Sequence, residues 1–275
     1  NLFSPARRPP LYPSGPALSF TPSLSRRAKI PLMFRLLSAA LSLVLLAPLL
    51  RADATVALPL SNLSADRSLD WVGESVAEAI AEALHAEGLV VLDRLDRAEA
   101  FKRLSLRPNA PLSRASIVRI ADELDASSAV YGSFEVSRPP NAKPSLKLSI
   151  RVLDLRNLRQ SPDLSTAGLL EDLAPLQDKL AWMALAAISP QPPAAEQAFL
   201  SRRPSIRVDA IENYVRGLLA SDDAARHRYF TQAVRLEPNY SQPCFQLGLH
   251  YWEKEDFQHA AQWFQRVASS DPHFT

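Results

Sequence analysis

Residues 146–152 read LKLSIRV. Leu146, Leu148, Ile150 and Val152 alternate with Lys147, Ser149 and Arg151. Successive strand side chains point to opposite faces, so this period of two predicts a strand with one face buried. Ala129–Val136 upstream reads as a second strand, and RPPNAKP (138–144) between them as a turn or hairpin loop. Working outward, Ser113 is placed to cap a helix that continues through Ile117, Ile120, Ala121 and Leu124. Val72, Val76, Ile80, Ala83 and Leu84 recur at three- and four-residue steps, predicting an amphipathic helix over 70–87. Gly88 stands where a left-handed cap is needed. Thr55–Leu60 and Leu89–Leu92 read as short buried strands, with one more strand near 160–166. Leu173, Leu176, Leu180 and Met183 mark a further helix, with Pro175 tolerable in its first turn. The expected architecture is a mixed β-sheet flanked by helices over residues 55–188.

Charge is unevenly distributed. Residues 1–54 hold seven Lys/Arg and one acid, Asp53, which leaves 24 basic and 28 acidic groups over 55–275. A net-acidic folded part argues against a nucleic-acid binder, which would show a basic patch. The single cysteine, Cys244, excludes an intrachain disulfide and a Cys-based zinc site. Neither GxGxxG nor GxxxxGK[ST] occurs, so both phosphate-cradling loops are absent in recognisable form.

The amino-terminal part divides in two. The chain begins with Asn1 and its first methionine is Met33. Residues 1–32, with seven prolines, five Lys/Arg and no acid, are expected to be disordered and foreign to the natural protein. Residues 33–54 have the layout of a secretory signal peptide: Arg35, the apolar run Leu36–Leu50, then Ala52-Asp53-Ala54. At about 1.5 Å per residue the fifteen-residue run reaches roughly 22 Å, short of the ~30 Å hydrocarbon core. Export to the periplasm is the expectation, with an inner-membrane anchor at 36–50 as the alternative and no other membrane contact.

VALPLSNLSAD (56–66), LDWVGESVAEAIAEAL (69–84), GLVVLDR (88–94), IVRIADELDASSAVYGSFEVS (117–137) and LKLSIRVLDLRN (146–157) follow one another in an order that resembles TolB amino-terminal-like domains. The resemblance covers residues 55–188. It implies a non-catalytic module associated with the bacterial envelope or with signalling. The chain departs from that pattern at Pro139–Pro144, which is longer and richer in proline.

Residues 189–206 begin with a proline-rich connector. Beyond it, residues 240–275 contain eight of the chain's twenty-one aromatics, so this end is expected to have its own core. From Ser241, the residues Leu247, Gly248, Tyr251, Ala260, Phe264 and Pro272 stand at the spacing of a tetratricopeptide repeat. Phe230, Ala233 and Pro238 sit 34 residues before Phe264, Val267 and Pro272. Residues 207–275 thus resemble an α-helical tetratricopeptide-type solenoid fragment, expected to be truncated with further repeats following. The resemblance implies a protein-binding groove formed by Gln242, Phe245, Leu249, Trp252 and Glu253. Simple packing of Trp252 and Phe245 on a neighbouring helix or on the α/β domain is the competing expectation.

The chemistry-bearing residues are sparse. His250 and His259 flank Asp256, but a metal site needs three or four convergent ligands, so solvated surface is the reading for these histidines. No GxSxG elbow exists, and Glu78 and Glu82 read as solvent-face helix residues. The expectation is a non-enzymatic adaptor or scaffold of the cell envelope with protein partners and no cofactor. The alternative is a sensory or regulatory component whose first domain takes a ligand.

Overall fold

The computed structural model describes residues 53–107, 110–189, 191 and 193–269. Residues 1–52 and Pro272 lie outside them; Asp53 and Ala54, the end of the signal-like segment, lie inside, Asp53 paired with Arg156 at 2.9 Å and Ala54 buried with its carbonyl accepting from the Ser127 amide. Six strands form one mixed sheet: β1 (Thr55–Ala57), β2 (Ser61–Asn62), β3 (Ser128–Ser137), β4 (Ser145–Asp154), β5 (Arg159–Gln160) and β6 (Leu164–Leu169). β3 and β4 pair antiparallel along ten residues, from Ser128 opposite Asp154 to Ser137 opposite Ser145. β1 and β2 both pair parallel to β3, and β5 and β6 both pair antiparallel to β4. Each outer row is thus one strand broken once, at Leu58-Pro59-Leu60 and at Ser161-Pro162-Asp163. Proline lacks the ladder donor and is confined to edges and bulges, which is where both breaks fall.

The alternation of β4 separates two cores. Leu146, Leu148, Ile150 and Val152, with Val130 and Phe134 from β3, lie in the larger buried cluster. That cluster includes α1 (Trp71–Ala86) and α4 (Leu173–Ile188). Leu153 and Ala129, on the opposite face, join Val56, Leu58, Phe101, Ile117 and Ile120 in the smaller one. The helices over this second face are α2 (Arg94–Arg103) and α3 (Arg114–Glu123). Ser113 caps α3, its hydroxyl accepting from the Ser116 amide at 3.1 Å. α1 stops at a Schellman turn: Gly88 has φ +80°, its amide donates to His85 and the Leu89 amide reaches back to Leu84.

Three readings of this region change. Leu89–Leu92 is not a buried strand; only Val91 bridges to Thr55, and Val90 is half exposed. Asp93 caps the next helix directly after it, which leaves the run no room to extend. That helix, α2, was not expected because its buried positions are Arg97, Ala100 and Phe101, and an arginine on the core side hides the apolar period. Arg97 donates to Glu74, to Glu78 at 2.9 Å and to the Ala57 carbonyl. Glu78 and Glu82 therefore do not face solvent. Burial pushes the Glu78 carboxyl up against the pull of Arg97, and Glu82 accepts from Gln242 at 3.0 Å. Burial alone would lower Arg97; Glu74 and Glu78 outweigh it and hold the guanidinium charged.

The connector carries a short helix, α5 (Glu196–Leu200), whose Phe199 is buried in the larger cluster. Two helical hairpins follow: α6 (Val208–Leu219) with α7 (Asp223–Leu236), and α8 (Ser241–Glu253) with α9 (Phe257–Phe264). The larger cluster continues into them through Ile211, Tyr214, Phe230, Tyr240 and Leu247. Arg216 donates to the Ser68 carbonyl at 3.2 Å, across the same junction.

Candidate functional site

The second hairpin is built on a glycine. A Cβ on Gly248 would strike the ring of Phe264, so the glycine lets α8 and α9 close on that ring. Leu247 and Ala260 are buried, and Tyr251 and Phe264 are half buried. The first hairpin repeats the device: a Cβ on Gly217 would strike the Phe230 ring. Its second helix is in register with that of the next hairpin, since Asp222 and Asp256 both act as N-caps and Phe230 and Phe264 both follow eight residues later. Its first helix is out of register because α6 ends two residues after Gly217, whereas α8 ends five after Gly248. That missing turn is why the sequence spacing matched only in part.

The five groove candidates all lie on α8 and differ in exposure. Gln242 is turned inward to Glu82. Phe245 lies 5.8 Å from the Phe264 ring and packs on the core. Leu249 is half buried. Trp252 and Glu253, at the end of α8, are exposed. Trp252 is 56% exposed and meets Phe257, 54% exposed, edge to face at 5.0 Å. Trp252 of α8 thus packs on the first residue of the neighbouring helix α9 and still leaves more than half of its surface in solvent. Phe257 escaped sequence reading because its partner lies across the Lys254–Asp256 turn rather than at a helical spacing.

Behind this pair lies a histidine cluster that joins the two hairpins. The His227 ring of α7 lies 4.9 Å from that of His250 of α8, tilted by 39°, and its Nε2 lies 3.2 Å from the Tyr251 hydroxyl. Tyr251 in turn lies 5.3 Å from the His259 ring. His250 is buried, not solvated as its sequence position suggested. Lys254 has only donors, so at 3.0 Å the His250 Nε2 must accept from it. The proton of the neutral ring then sits on Nδ1 and is donated to Asp223 at 3.0 Å, while Lys254 reaches the other Asp223 oxygen at 2.8 Å. Burial lowers the His250 pKa, aided by Lys254 and His227 and opposed by Asp223. With both ring nitrogens engaged, His250 cannot accept a substrate proton without breaking the junction between hairpins. His259 is exposed and pairs with Asp256 at 2.7 Å. Among the described residues no group of three or more His, Cys, Asp or Glu is placed to hold a metal ion.

Two cavities lie elsewhere. A trough of about 240 Å³ opens on the uncovered part of the sheet, lined by Leu63, Tyr131, Ser133, Lys147, Ser149 and Arg151. Asp163, in the break before β6, pairs there with Arg151 at 3.4 Å and accepts from Ser149 at 2.7 Å. A smaller cavity of about 60 Å³ separates α1 and α4 from the hairpins and holds Asp178 near Arg203 and Gln242. Burial pushes the Asp178 carboxyl up to about 6 against the opposing charge of Arg203.

No helix among the described residues is long and apolar enough to cross a membrane; residues 36–50 lie outside them. No family model matches the sequence, and no curated protein matches it. Among solved structures, the chain is similar to lipoprotein GNA1162 from Neisseria meningitidis, at 17% identity over 42% of this chain and 80% of that one, with a TM-score of 0.35. It is also similar to LpoB of E. coli, at 17% identity over 60% and 86% with a TM-score of 0.34. PelC from Paraburkholderia phytofirmans, a dodecamer, matches at 14% identity over 50% and 88% with a TM-score of 0.29. No function passes to this chain from likeness at that level.

Proposed function

We propose that this chain is a non-enzymatic protein-interaction module of the bacterial cell envelope, with the tetratricopeptide-like hairpins presenting the docking surface. The observation that carries the reading is the exposed Trp252–Phe257 pair. Large aromatics with apolar faces in water are the residue types that dominate binding hot spots. The pair stands on a hairpin that the Gly248–Phe264 contact holds close and that Asp223, His250 and Lys254 tie to its neighbour. The envelope assignment rests on the signal-like layout of Arg35, Leu36–Leu50 and Ala52-Asp53-Ala54.

The test is a photo-crosslinking amino acid placed at Phe257 and, as a control, at Leu95, an exposed apolar residue on α2. In cells, discrete protein adducts are expected from position 257 and not from position 95. No adduct from 257, or the same adducts from both, would overturn the reading.

A further inference from the structure

We infer that the Trp252–Phe257 surface takes a basic amphipathic segment, one in which apolar side chains alternate with lysine or arginine; this rests on the docking reading above. The argument is charge complementarity. Residues 241–269, the α8–α9 hairpin with the turn that follows it, carry two strong cations, and both are committed within the fold. Lys254 is held by Asp223 at 2.8 Å. Arg266 lies over the Trp263 ring at 4.7 Å and donates to the Pro238 carbonyl. Among its acids, Asp256 caps α9 and pairs with His259. Glu253 and Glu255 remain, both exposed and with no ion pair among the described residues. They bracket the turn between the two aromatics, and Glu255 adopts a left-handed φ of +60° within it. The uncommitted charges of this hairpin are therefore both negative.

A partner with acidic flanks would be repelled here, and a neutral apolar partner would leave both carboxylates desolvated without a counter-charge. A lysine or arginine neighbour satisfies them, lays its aliphatic stem along the rings and brings its cation over a ring face. An apolar side chain of the same segment fills the angle between the edge-to-face rings.

The probe is a fluorescently labelled ten-residue peptide of alternating leucine and lysine, with a leucine–glutamate peptide as control, titrated against the full chain by anisotropy. Binding of the lysine peptide alone is expected. The Glu253→Gln/Glu255→Gln double variant should weaken it about tenfold and flatten its salt dependence. The Trp252→Ala/Phe257→Ala variant should abolish it. All four side chains are exposed, so circular dichroism of each variant should match the parent. No binding, equal binding of both peptides, or binding indifferent to either variant would overturn the inference. Crosslinks from position 257 that persist unchanged in the double glutamine variant would leave the docking reading standing while this one falls.

Discussion

Asp178 faces the small cavity with Gln177 and Arg203, and no apolar residue could take its place without losing the polar lining. A raised carboxyl pKa means that the folded state prefers the protonated acid. Its favourable contribution is complete below about 3.8, the ordinary value, and is lost as pH rises toward about 6. At pH 7 the folded protein therefore holds a charge it binds poorly. The whole displacement from 3.8 to about 6 corresponds to roughly 3 kcal/mol at about 1.4 kcal/mol per pH unit, and solvent access reduces the expected effect to about 1 kcal/mol. Asp178→Asn should raise the melting temperature by a few degrees at pH 7 and change it little at pH 3.5, as calorimetry at the two pH values would show. Arg97 makes the opposite case: its charge is buried but satisfied by two carboxylates and a carbonyl. Neither role was legible in the sequence, because both depend on partners 19 or more residues away.

At the scale of elements, the junction of α7 and α8 is held by groups that titrate differently. His250 is faced by Asp223 and His227 from α7, by Tyr251 from its own helix and by Lys254 from the turn that follows it. A lowered histidine pKa means that the unfolded chain takes the proton first, so stability falls as pH drops below about 6.5. Asp223, held below the usual carboxylate range chiefly by the Lys254 hydrogen bond, loses its charge only in stronger acid. Replacing His250 by glutamine removes the titration. Between pH 7 and pH 5 the parent should lose more melting temperature than His250→Gln, and taking the difference cancels contributions such as that of Asp178. Equal losses would count against this role for the ring. The two hairpins themselves were partly legible: Gly248 and Phe264, singled out by their spacing in the sequence, meet where α8 and α9 close, and Ala260 is buried on α9. The Gly217–Phe230 contact was obscured by the shorter α6.

Across the whole described body, one apolar cluster runs from the sheet through α1 and α4 into both hairpins. Ala79 and Glu82 of α1 lie against Ile211, Tyr240 and Gln242 of the hairpin region. A chain ending at residue 188 would present that side of α1 and α4 to water, so it should melt at least about 10 °C below the chain spanning 53–275, or aggregate. Equal melting would show that the α/β part stands alone. The strand pattern of Leu146–Val152, the Ser113 and Gly88 caps and the amphipathic period of α1 were decided locally, by side-chain alternation and backbone conformation within a few residues. The sequence by itself therefore determined a mixed sheet with helices and a helical tail. Only the tertiary structure decided that Glu74 and Glu78 neutralise a buried arginine, that His250 is sealed between hairpins, and that Trp252 finds Phe257 rather than a core. Those outcomes depend on which distant groups arrive at the same place, and periodicity along a chain carries no information about that.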